Sequence, residues 1–174
     1  RLPWNPSAPC RANAGAPLDK RAILADRAPG AGVVRSTAGK LPAMDRRFPI
    51  LTYHGVNVAG NDYASNDHVA LASDLETMDR LGWRIVPLPG VVARWLAGDT
   101  EWAGARTLAI TFDDGTDFDW CDLPHPVHGL QRSLHNCLAD FRAAGPLPRD
   151  AHATSFVVVS REAREYIDRI GLAG

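Results

Sequence analysis

A chain of 174 residues, 45% hydrophobic and 22% charged, has the make-up of one ordinary globular domain with enough apolar surface for a real core. Its net charge of −1 supplies no field to gather nucleic acid or an anionic membrane, and no apolar run reaches the roughly 18 residues of a spanning helix. The three cysteines, Cys10, Cys121 and Cys137, are odd in number and lack C-x-x-C spacing, so they read as ordinary thiols and not as a disulfide framework or zinc ribbon.

In chain order, the first segment is dense in Ala, Arg, Pro and Gly without a sustained period. Residues 1–47 are therefore expected to be a low-complexity leader, disordered or non-native, with the regular domain spanning 48–174. Met44 opens MDRRFPILTYHGV, where a strand pattern begins at once, which suggests a biological start there and, with no signal peptide visible, a cytoplasmic product. The patch GAGVVRSTAGK lacks the spacing of a phosphate loop, and Lys40 is followed by Leu41 instead of Ser or Thr, so it reads as linker.

PILTYHGV (49 to 56) reads as a buried strand ending in a turn. Ser65 or Asn66 can cap a helix with apolar positions Val69, Ala72, Leu75, Met78 and Leu81, stopped at Gly82. RIVPL (84 to 88) predicts a second strand, GVVARWLAGD a short helix, and TLAITF (107 to 112) a third strand. After a polar loop, a helix is predicted over 131–144, a fourth strand over 153–159 and a last helix at REAREYIDRI. Strands alternating with helices predict a parallel sheet, open or closed into a barrel, with ligand sites at the carboxyl ends of its strands.

Asp113, Asp114 and Gly115 stand where the third strand runs out. Two neighbouring carboxylates at the edge of an apolar core repel unless a cation, a cationic side chain or a shared proton compensates. A divalent ion is the simplest compensator: one acid ligates it, and the other can take a proton from a bound water as general base. An Asp-Asp-Gly triplet also serves as an ordinary solvated turn.

TFDDG at 111 to 115, preceded by ILTYHGV at 50 to 56, resembles the N-terminal part of a polysaccharide deacetylase, the NodB-type domain of carbohydrate esterase family 4. LETMDRLGWRIVPL and HATSFVVVS are similar to the passages that accompany those motifs, so the resemblance covers roughly 48–160. It implies an α/β chain forming a partial distorted (β/α) barrel, truncated before completion. It further implies metal-dependent removal of acetyl groups from an acetylated amino-sugar polysaccharide, with zinc as the expected ion. Carried over, Asp113 is the catalytic base, Asp114 a metal ligand, and His54 a substrate-binding or site-mouth residue. A histidine hydrogen-bonded inside the barrel end is the other reading of His54.

The family's H-S/T-x-x-H metal motif and its later acid histidine are not found before Gly174, so this chain by itself is expected to be an inactive portion of the domain. Its open sheet edges are then expected to favour aggregation. His125 and His128 are separated by Pro126, which disfavours the helix that would bring them together, and metal binding by them is a minor expectation. His68 and His152 read as surface or capping residues, while Asp117 and Asp119 read as orienting their loop or binding solvent. The alternative function is a non-catalytic carbohydrate-binding module on the same fold, with Trp95, Trp102 and Trp120 as sugar-stacking faces. In both readings the partner is a poly- or oligosaccharide.

Overall fold

A computed structural model describes residues 47–99, 106–144 and 149–171. The expected leader lies outside these residues apart from Arg47, as do Cys10, Met44 and Trp102. The order of elements is β1 (Ile50–His54), α1 (Asp67–Arg80), β2 (Arg84–Ile85), α2 (Leu88–Leu96), β3 (Thr107–Asp113), a 3-10 turn (Asp117–Asp119), β4 (Leu123–His125), β5 (Gly129–Gln131), α3 (Leu134–Ala143), β6 (Ala153–Ser155) and α4 (Arg161–Gly171). Among the described residues the architecture is α/β, with a parallel sheet and four helices, and the strands do not close into a barrel.

β3 is the spine of the sheet. Residues 107–112 are all buried, as expected for an apolar run in a parallel strand covered on both faces. β1 pairs along it from Ile50↔Ala109 to His54↔Asp113. β6 pairs with Ile110, Thr111 and Phe112, three residues that β1 also pairs, so β6 must occupy the opposite edge. β2 reaches only Thr107 and Leu108. Because all three pairings are parallel, His54, Asp113 and Ser155 end up on one rim.

The strands are shorter than the sequence predicts. RIVPL pairs for two residues only, because Pro87 caps α2, which begins at Leu88. ATSFVVV is ladder-paired only to Ser155: past Phe112 the chain of β3 bends away, and Phe156 N and Val158 N reach single carbonyls of Phe112 and Asp114. Val159 is left 93% exposed. The predicted polar loop contains the 3-10 turn and an antiparallel β4–β5 hairpin.

α1 and α3 supply the main core, where Leu71, Leu75, Met78, Leu134, Leu138 and Phe141 meet Leu108, Ile110 and Phe112 of β3. The buried stripe of α1 is His68, Leu71, Leu75 and Met78, whereas Ala72 and Leu81 of the predicted stripe are exposed. A run spaced strictly by three drifts around a helix of 3.6 residues per turn, and alternating steps of three and four hold one face. Asn66 caps α1, its side chain accepting from His68 N and Val69 N. The same side chain donates to Gln131 Oε1 at 2.7 Å and Gly60 O at 3.0 Å, tying the loop before α1 to the hairpin. A smaller cluster of Val58, Phe118 and Leu123 packs under these loops.

Candidate acidic site at the strand ends

The sequence TLAITFD carries β3 to the rim, and the chain then turns within two residues. Asp114 takes a φ of 76° and Gly115 a φ of 62°, both in the left-handed region. Glycine is required at 115, since a Cβ there would lie 2.8 Å from both the backbone and side chain of Val157. For Asp114 the left-handed backbone costs about 1 kcal/mol, less than for most residues because aspartate tolerates it best. Asp114 is held there by its carbonyl, which accepts from Val158 N at 3.1 Å. Both Asp113 and Asp114 are half-buried, and among the described residues no side chain donates a hydrogen bond to either carboxylate.

His54 stands opposite Asp113 at the end of β1, with 43% of its side chain exposed. Asp67, the first residue of α1, fixes it: Oδ2 accepts from His54 N at 2.7 Å and lies 3.6 Å from the imidazole Nδ1. The other oxygen of Asp67 accepts from Asn57 Nδ2 at 2.7 Å.

Asp119 departs most from its expected role. It is 1% exposed and binds no solvent from the loop surface. Thr116 Oγ1 lies 3.4 Å from Oδ1 and Ser155 Oγ lies 3.4 Å from Oδ2, so the carboxylate spans the exits of β3 and β6. Oδ1 also fills the space beside Gly55, where a Cβ would be only 2.7 Å away. Burial pushes the Asp119 carboxyl up to about 6; the negative charge of Asp114 acts in the same direction, while the Ser155 and Thr116 hydroxyls and His54 oppose it. Asp117 is exposed and pairs with Arg164 of α4 at 3.0 Å.

His68 is no surface residue. It is 3% exposed, and its ring spans the carbonyl oxygens of Gly55 at 2.8 Å and Arg132 at 2.6 Å, strapping the exit of β1 to the start of α3. His152 is part-exposed beside Asp150, at 2.6 Å. Pro126 does exclude a helix at His125 and His128, but the hairpin turn brings their rings to 4.8 Å all the same. His125 Nδ1 accepts from Val127 N and His128 N, so the turn itself occupies that nitrogen. Cys137 is a free buried thiol.

Trp120 follows the 3-10 turn, half exposed and stacked on His135 with centroids 4.5 Å apart. Burial, and secondarily Arg142, holds the His135 imidazole below its usual range, favouring its neutral form. Trp95, named from sequence among the sugar-stacking faces of the alternative function, is 52% exposed on α2, a helix with no buried residue.

Asp113 and Asp114 have the donor chemistry of a divalent-ion site. A catalytic zinc normally takes three protein ligands, however, and among the described residues no group of three His, Cys, Asp or Glu side chains is placed to hold an ion. The described residues thus fit part of such a site and do not complete it. Asp67, Thr116, Asp119 and Ser155 were not assigned to the site from sequence. The one available signal was the crowding of acids, Asp113 to Asp119, behind one strand.

No protein-family model, curated protein or solved structure matches this chain.

Proposed function

We propose that this chain belongs to a hydrolase of the polysaccharide deacetylase kind, acting on an acetylated amino-sugar polymer, with its sheet forming part of a distorted (β/α) barrel. One observation carries the reading. Two adjacent carboxylates stand on the carboxyl rim of a parallel sheet, half-buried, with no described side chain donating a hydrogen bond to either. Such a pair is costly unless it serves a ligand or a reaction.

In this reading Asp113, at the last position of β3, is the general base that takes the proton of the attacking water. Asp114, rotated out of the strand by its left-handed backbone, is the candidate ligand of a divalent ion, zinc being the expected one. When bound, such an ion polarises the acetyl carbonyl and acidifies water. His54, held through Asp67 at the site mouth, faces substrate. The described residues leave the ion's ligand set incomplete, so no step is routed through it.

Acetate release from an acetylated glucosamine oligomer by the full-length protein is the test. Asp113→Asn is expected to lower the rate by about 10²-fold or more with the fold intact, and a chelator to abolish it. Undiminished release from Asp113→Asn removes the assigned base.

The half-exposed Trp120 ring favours one second reading, a non-catalytic carbohydrate-binding module. Oligosaccharide binding that withstands both the chelator and Asp113→Asn, without acetate release, selects it.

A further inference from the structure

Asp119 is a buried carboxylate that the proposed reaction does not use. Its two hydroxyl neighbours, Thr116 and Ser155, stand at 3.4 Å, long for hydrogen bonds to an anion, and of the charges around it Asp114 repels it while His54 attracts it. Such a group burdens the fold, since an undercompensated buried charge is destabilising. Its position is nonetheless tightly specified. Oδ1 fills the notch that Gly55 leaves by having no side chain, one residue after His54. Its own N–H bonds Thr116 O at 3.1 Å, two residues after Asp114. The far side of Gly55 is gripped through its carbonyl by His68.

We infer that Asp119 is a positioning residue of the acidic site, its carboxylate setting the end of β1, and so His54, against the turn that carries Asp114. As a role in catalysis this rests on the deacetylase reading. As a statement about His54 it does not. A residue present only to support the fold lowers stability when replaced, whereas a charge held for the site's sake leaves stability equal or higher when removed.

The test compares the full-length protein with its Asp119→Asn variant, which keeps size and one acceptor, and with Asp117→Asn, the exposed neighbour, as control. Three quantities are measured at pH 8: Tm, the position of the His54 Cε1–H resonance, and kcat and KM for acetate release from an acetylated glucosamine oligomer. The expected result is an unchanged or higher Tm for Asp119→Asn, a displaced His54 resonance, and kcat reduced about tenfold or more at nearly constant KM. The control should match the wild type throughout. A His54 resonance that coincides in wild type and Asp119→Asn overturns the inference, as does a Tm several degrees lower. If even the full-length wild type releases no acetate, the deacetylase reading fails, while a displaced His54 resonance still upholds the positioning of His54.

Discussion

Asp119 titrates in a direction opposite to that of a salt-bridged acid, and this gives its stability a definite sign with pH. Its folded value, about 6, lies above the ordinary aspartate value of 3.8, so the native state holds the proton more tightly than the unfolded chain. That contribution is complete below 3.8 and is lost as pH rises through about 6. Relative to Asp119→Asn, the wild type should therefore lose on the order of 2 to 3 kcal/mol between pH 4 and pH 7. Urea denaturation of both proteins across that range measures it, and parallel curves would place the carboxylate in solvent. Gly115 offers a second test at the same scale. Alanine there meets both a left-handed backbone and Val157 at 2.8 Å, so Gly115→Ala should cost about 2 kcal/mol or more. Tripeptide patterns such as Asp-Asp-Gly announce a turn, but which turn residue clashes with which distant side chain depends on Val157, more than forty positions later.

Helix α1 shows how far an element can be read before its partners are known. Its cap at Asn66 and its stop at Gly82 were legible, because capping depends on residues within one turn. Its buried face was legible only in part. Leu75 and Met78 lie in the core as expected, but Leu71 and His68 replace Ala72 and Leu81. Leu71→Ala should therefore destabilise by about 2 to 5 kcal/mol, and Leu81→Ala, at a 50% exposed position, by no more than about 0.5 kcal/mol. Equal losses in chemical denaturation would mean that the helix is rotated from the face assigned to it. In β2 and β6 the β-forming residues run on after the ladder stops, since strand length is fixed by how much of β3 each can reach.

At the scale of the whole molecule, the described strands do not close into a barrel, and part of the exposed apolar surface follows the last of them. Phe156, Val157 and Val159 follow β6, and Tyr166 and Ile170 of α4 are also exposed. Val159→Lys should raise the concentration at which the protein begins to scatter light, with Tm unchanged because that side chain is 93% exposed. Unaltered scattering would show that this segment does not drive self-association. The sequence by itself determined the α/β class, the parallel arrangement and the placing of two acids after a buried strand, because periodicity and local turn chemistry act between residues close in the chain. The tertiary structure alone decided that Asp67 stands against His54, that Asp119 lies buried against Gly55 beside Ser155, and that His68 is a strap in the interior. Each of those contacts joins separate elements, and its energy depends on a burial and a distance that no stretch of neighbouring residues encodes.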